Sequence, residues 1–433
     1  MAGLRMRLIT SSSSPFLIVR SRYLRAPTLP HRPTHTMAAH SQAIEEQTLP
    51  LYHRKYYYPV KIGQVFNDRY RIISKLGYGA YSTVWLAWDE RSYSVKVVLI
   101  WAAVADLESR ENEYTSLKVS VQVDNNNAEL SPVLNEINVL QRLKQFADED
   151  HPGLDFTRLA RDIFETESLS GRHYCTAYKP QGNSTRILQE KFPNAITPKP
   201  LVKSLIHRLL FSVNWLHATC GVAHTDIEDQ ESQDPNLPIT STINKTMPII
   251  VYKSKPTMLE LSGLPILTDY GQMRVVEGCV NQDWWMSDLY RAPEVLLHLP
   301  WGFPVDIWSI GVMTLELLEG KNLFDPIDRV HGQYVLPLAL AQYIGYLGPP
   351  PLSIIQKSPL FSTYFDAEGN WVSEPPVPKT SLEDFVTTIP PGQEKDQFSR
   401  FIRKILTWDP EVRATSNEVI PDEWLMRPVE EML

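Results

Sequence analysis

Residues 69–88 read RYRIISKLGYGAYSTVWLAW, and this stretch decides the fold. Two runs rich in β-branched and aromatic residues, 69–76 and 83–88, flank a turn that holds Gly77 and Gly79. That pattern predicts strand, turn, strand. A dinucleotide-binding glycine motif opens a helix, so a glycine turn that leads back into a strand argues against that class. Glycines here let backbone N–H groups approach phosphates, with small Ser82 where a third glycine often sits. A glycine pair in a hairpin is equally a plain turn, so its weight depends on the residues downstream.

The chain has 433 residues and is 43% hydrophobic, enough to bury one large two-lobed core or two ordinary ones. Its formal net charge of −8 argues against direct nucleic-acid affinity and weakly favours cationic partners. Cys175, Cys220 and Cys279 form no CxxC or His-Cys cluster, so neither a disulfide framework nor a zinc site is expected. The most apolar runs, from 305 and from 335, fall short of the ~20 residues a membrane span needs, and no span is predicted. Residues 1–44 differ: six Arg (5, 7, 20, 22, 25, 32), a Ser run, and no acidic residue before Glu45. This composition fits a mitochondrial transit peptide, a disordered basic tail, or a start placed upstream of Met37.

Beyond the first hairpin, SPVLNEINVLQRLKQF (131–146) predicts a helix capped by Ser131 with Pro132 in its first turn and Leu130, Leu134, Ile137 and Leu140 on one face. TPKPLVKSLIHRLLFSVNWLHA (197–218) predicts another, with Leu205, Leu209, Val213 and Leu216 aligned and a stop near Gly221. After residue 305 the periodicity is mostly helical. A β-rich first third followed by an α-rich remainder is an α+β, bilobal pattern.

A lysine on the next inner strand would reach the phosphates, steadied by a helical glutamate. Lys96 and Lys118 compete for that place. Glu136 stands eighteen positions after Lys118 and forty after Lys96, which favours Lys118. Excising residues 92–111 leaves an ordinary strand, turn, strand, so that stretch reads as an insertion, either a translated intron or an authentic loop. Downstream, LPILTDYGQMR (264–274) places Asp269 in an Asp-Tyr-Gly triplet after an apolar strand, suited to holding Mg²⁺ against phosphates. SDLYRAPEVLL (287–297), VDIWSIGVM (305–313) and ILTWDPEVRAT (405–415) come next in order, with Arg413 a candidate partner for Glu294.

Taken with NWLHATCGVAHTDI (214–227), this ordered set resembles a eukaryotic protein kinase, most closely the serine/arginine-rich (SR) protein kinase family of fungal type. His224, Thr225 and Asp226 match that family's His-Thr-Asp habit. The resemblance implies a bilobal protein kinase fold: an extension at 55–69, then a kinase domain at 70–428, with an N-lobe at about 70–180 and a C-lobe at about 181–428. It implies ATP and Mg²⁺ as cofactors, a protein substrate rich in Arg and Ser, and residence in cytoplasm and nucleus. Carried over residue by residue, Leu76, Gly77, Tyr78, Gly79, Ser82 and Val84 cover the nucleotide. Lys118 and Glu136 position its phosphates, Asp226 is the catalytic residue, and Asp269 the metal ligand.

The pattern breaks after Ile227. Where the family carries a lysine two positions after the catalytic Asp and an asparagine five after it, this chain has Glu228 and Glu231. An anion beside the transferring phosphoryl group opposes transfer, which makes a nucleotide-binding or protein-binding pseudokinase scaffold the alternative. Coding sequence lost after Ile227, or Asn236 acting from a longer loop, would account for the break. Lys179 stands in place of the family's hinge Glu.

Overall fold

The structure is a computed structural model that describes residues 44–49, 52, 56–90, 114–123, 131–182, 184–227, 252–254 and 265–428. Residues 1–43, the inserted stretch at 92–111 with Lys96, and Glu228, Glu231 and Asn236 lie outside the described residues. The protein has a β-sheet N-terminal part and a helical C-terminal part, the bilobal α+β arrangement expected from the sequence.

Six strands form the sheet: β1 (Val65–Phe66), β2 (Tyr70–Gly79), β3 (Ser82–Asp89), β4 (Tyr114–Ser120), β5 (Asp162–Ser168) and β6 (Gly171–Tyr178), in the order β1-β2-β3-β4-β6-β5 and antiparallel throughout. β2 and β3 run right up to the glycine turn, further than the composition of 69–76 and 83–88 predicts, because Gly77 pairs with Val84 and Gly79 with Ser82. Side chains alternate across a strand. Ile72, Trp85, Ala87, Leu117, Val119, Cys175 and Ala177 therefore form one apolar face, and Val84, Lys118 and Thr176, which are register partners, share the opposite one.

The apolar face is closed by an ionic plug. Lys75, 1% exposed, donates to Glu46 and to the Tyr252 carbonyl at 3.1 Å, while Ser254 donates to Glu45 from its amide at 3.0 Å and its hydroxyl at 2.7 Å. A buried ammonium is tolerable only with such partners.

Helix α1 (Pro132–Gln145) packs against the sheet, with the Ser131 hydroxyl accepting from the Leu134 amide at 3.4 Å. Its buried residues are Val133, Ile137, Val139, Leu140 and Leu143, a stripe that leaves Leu134 half-buried. In the helical part, α2 (Lys199–Ala218), α3 (Pro304–Glu319), α4 (Leu336–Leu347) and α5 (Gln393–Ile405) enclose a core in which Trp308 stacks on Phe324 and Tyr343. α2 buries more than one face, Leu205, Val213 and Leu216 among them, while Leu209 is only partly covered. α3 is buried along nearly its whole length, and Gly311 lets it approach α5: a Cβ there would stand 2.5 Å from Ile405 Cγ2. No helix among the described residues is long and apolar enough to cross a membrane.

Candidate active site

The glycine turn is a shallow open roof. A Cβ added at Gly77 or Gly79 would meet nothing within 4 Å, so packing within the protein does not demand glycine there, and the space above the turn is open. The Tyr57 hydroxyl donates to the carbonyls of Gly79 (2.9 Å) and Ala80 (3.1 Å) and fixes the turn from its far side. Leu76, Tyr78 and Val84 are half-buried, and Ser82 is buried at the turn's return.

β4 places Lys118 opposite Val84 and Thr176, on the inner face. Its ammonium donates to both Glu136 oxygens, at 2.6 and 2.8 Å. Burial works to lower the Lys118 pKa, but the carboxylates of Glu136 and Asp269 outweigh it and hold the group above its ordinary value, so it stays cationic. α1 is oriented for this contact by Asn135, whose amide donates to the carbonyls of Gly271 and Met273 at 3.0 Å each. The helix and the Asp269 segment are thereby locked together.

Asp226 follows β7 (Val222–Ala223), which pairs antiparallel with β8 (Arg274–Val275) just beyond Asp269. The backbone that presents it is held by Asp306 of α3: its carboxylate accepts from the amides of His224 and Thr225, both at 2.7 Å, and contacts His217 Nε2 at 2.8 Å. Asp306 is fully buried. Burial pushes its pKa up, yet the hydrogen bond with His217 and the surrounding donors overcome that and hold it below the usual carboxylate value. Thr225 has φ 67 and Asp269 φ 69, left-handed conformations that non-glycine residues adopt only when their surroundings insist. For Thr225 the insistence comes from Asp306 and from its own hydroxyl, which donates to the Gln272 carbonyl at 2.7 Å.

Tyr270 is 1% exposed, donates to the Leu267 carbonyl at 2.9 Å and meets His224 edge-on at 5.9 Å between ring centroids. The His224 Nε2 lies 3.1 Å from the Thr268 carbonyl, and burial pulls its pKa down. Beside Asp226 opens a cavity of about 300 Å³ lined by Thr225, Gln272, Trp284, Trp285, Met286 and Ser287. Its far wall is pinned without any added charge: Trp285 Nε1 donates to Thr225 Oγ1 and the Gln272 carbonyl, both at 3.0 Å, and buried Arg291 donates to the carbonyls of Trp285 (2.9 Å) and Met286 (2.7 Å). At the end of this segment Glu294 forms a fully buried bidentate pair with Arg413, at 2.7 and 2.8 Å.

The residues expected from the sequence thus fall into two groups. Lys118, Glu136 and Asp269 interact with one another, and Val84 is the register partner of Lys118 on the strand that follows the glycine turn; Asp226 lines the cavity on the helical side. Among the described residues no cluster of three or more His, Cys, Asp or Glu could hold a metal unaided, so a divalent ion at Asp269 would complete its shell with water or phosphate oxygens. The open glycine roof and the Lys118 cation fit such a phosphate group. Sequence reasoning missed the positioning roles of Asn135, Asp306, Trp285 and Arg291. Of these, Asp306 has the clearest signal, its place in the VDIWSIGVM motif.

Comparison with known proteins agrees with this geometry. The protein kinase domain family matches residues 70–425. A serine/threonine protein kinase of Aspergillus fumigatus is 32% identical over 423 residues, covering 95% of this chain and 99% of the relative. The serine/threonine-protein kinase SRPK of Physarum polycephalum is 25% identical over 421 residues, with 88% and 91% covered. Mouse SRSF protein kinase 3 is 31% identical over 192 residues, 43% of this chain and 29% of the relative. The chain belongs to the protein kinase family, among the serine/threonine kinases similar to SR protein kinases of fungal type.

Proposed function

We propose that the chain is an active serine/threonine protein kinase that transfers the γ-phosphoryl group of ATP to protein hydroxyls in Arg/Ser-rich segments. The observation that carries this is the Lys118–Glu136 pair held beside Asp269 beneath an open glycine turn.

Bound Mg·ATP supplies the phosphoryl group and the cation that offsets its charge. Leu76, Gly77, Tyr78, Gly79, Ser82 and Val84 cover it. Lys118 contacts the phosphates, Glu136 keeps Lys118 in place, and Asp269 holds Mg²⁺. Asp226 orients the acceptor hydroxyl and takes up its proton. The net charge of −8 suits a cationic substrate, and the Trp285 and Arg291 contacts order the segment beside Asp226 with no phosphate added.

A second reading, a nucleotide-binding scaffold without turnover, is favoured by Glu228 and Glu231. Thermal unfolding with Mg·ATP and phosphate transfer to an Arg/Ser-rich peptide separate the two. A binder at a hundredfold excess over Kd gains about 2.7 kcal/mol. Transfer above an Asp226→Ala control establishes the kinase, and a nucleotide shift with no such transfer leaves the scaffold.

A further inference from the structure

The tip of the glycine turn is held from outside its own hairpin. Gly79 pairs with Ser82, which leaves Ala80 and Tyr81 as the two turn residues. Three successive carbonyls there are engaged by other segments. The Tyr57 hydroxyl shares its single hydrogen between the carbonyls of Gly79 (2.9 Å) and Ala80 (3.1 Å), and the Val121 amide donates to the Tyr81 carbonyl at 2.8 Å.

Tyr57 is itself firmly seated. Its backbone bridges Val121 antiparallel, and the Gln122 amide donates to the Tyr56 carbonyl at 3.1 Å. Its ring stacks on Tyr52, 5.3 Å between centroids, and packs against the cluster of Val121, Val123 and Val133. Burial, and after it the negative charge of Glu46, push the pKa of the hydroxyl up, so the oxygen keeps its proton and remains a donor. Further back the same extension is anchored where Glu45 and Glu46 meet Ser254 and Lys75. Tyr57 precedes residue 70, where the match to the protein kinase domain begins, so the pin comes from a segment ahead of that domain.

Across a trans peptide the N–H points opposite to the C=O. With the Gly79 and Ala80 carbonyls turned to Tyr57, the amides of Ala80 and Tyr81 point the other way, and the carbonyl oxygens, which repel phosphate, are tied back. An unpinned turn can rotate these peptides and present oxygen instead. Ordering that is complete before an anionic ligand arrives is not subtracted from its affinity.

We propose that Tyr57 is a positioning residue for the nucleotide: its hydroxyl sets the peptide orientation of the turn that covers the phosphates, so the extension ahead of the domain governs how tightly Mg·ATP binds. This rests on the cleft being a nucleotide site, as proposed above.

Thermal unfolding of the full chain, titrated with Mg·ATP, tests it in wild type, Tyr57→Phe and Glu45→Gln. Tyr57→Phe removes one oxygen and keeps the ring on Tyr52. Glu45→Gln weakens the other end of the extension, at Ser254, and leaves the turn contact in place. Each shift is read from the variant's own unliganded midpoint, so a uniform loss of stability cancels. The apparent Kd rises about three- to tenfold in Tyr57→Phe, the worth of one such hydrogen bond, and by less than about twofold in Glu45→Gln. A rise below about twofold in Tyr57→Phe, or an equal rise in both variants, overturns the assignment to the Tyr57 hydroxyl and leaves the nucleotide site standing. A wild type that shows no shift with Mg·ATP overturns the nucleotide site and this assignment with it.

Discussion

Replacing Asp306 by Asn tests whether the presentation of Asp226 is built from α3. The carboxylate is fully buried and accepts two backbone amides at 2.7 Å, besides the His217 contact at 2.8 Å. Hydrogen bonds to a charged acceptor are worth about 1.5–3 kcal/mol each, and a stranded buried donor costs a further ~1–3 kcal/mol. Asn keeps the shape but offers one neutral oxygen, and its NH₂ turns a donor toward one of the two amides. One bond weakens and one is lost, partly offset because a charge no longer has to be buried, so the expected loss is about 3 kcal/mol. It falls on Thr225, whose left-handed backbone survives only under these contacts. The Lys118–Glu136 pair makes no direct contact with Asp306, so nucleotide binding persists while phosphate transfer drops. Urea unfolding gives the first quantity, a Mg·ATP thermal shift the second, and peptide phosphorylation the third. A loss under about 1 kcal/mol with undiminished transfer would refute the argument that Asp306 holds the catalytic segment.

Arg413→Met strands the fully buried Glu294 carboxylate and frees the carbonyls of Pro304 and Thr407, so urea unfolding should show a loss of about 3–5 kcal/mol, most of it recovered in the double variant Glu294→Leu/Arg413→Met. His173 and His224 are both 0% exposed, and burial lowers both imidazole pKa values, so the folded chain takes up protons there less readily than the unfolded chain. Stability is then whole above about pH 6.5 and falls below it by at most about 1.4 kcal/mol per pH unit per histidine, which urea midpoints between about pH 7.5 and 5.5 would reveal; a flat profile contradicts the lowered pKa of the two buried rings. Glu228→Lys, which restores a cation where the family has one, should raise peptide phosphorylation by about tenfold or more with little change in the ATP thermal shift.

What could be read from the sequence was local in character. The hairpin around Gly77 and Gly79 is written in adjacent residues, and so is the helix that begins at Ser131, because caps, turns and periodicity act over a few positions. The choice of Lys118 over Lys96 came from its spacing to Glu136, and the two do meet in the fold at 2.6 Å. Asp306 was visible as part of a motif, but its work is done across 81 and 82 residues of chain, on two backbone amides that no side-chain pattern records. The Lys75 plug was hidden for the same reason, since Glu46 and Tyr252 lie 29 and 177 positions away.

Under the proposed function, binding and transfer rest on different parts of this molecule, and that separation bears on what the unusual residues after Ile227 are expected to affect. The phosphate end is carried by β2, β3, β4, α1 and the Asp269 segment, tied together by Lys118–Glu136 and by Asn135 on the Gly271 and Met273 carbonyls. The acceptor end is carried by β7 and α3, tied by Asp306 and by Trp285 on Thr225. Glu228 and Glu231 come after the second group in sequence and lie outside the described residues. Under the proposed function, a change of charge there is expected to act on the barrier to transfer, where electrostatic stabilisation counts most. Nucleotide affinity is therefore expected to survive whatever those glutamates do to turnover, which is why the binding and transfer assays must be read as independent measurements.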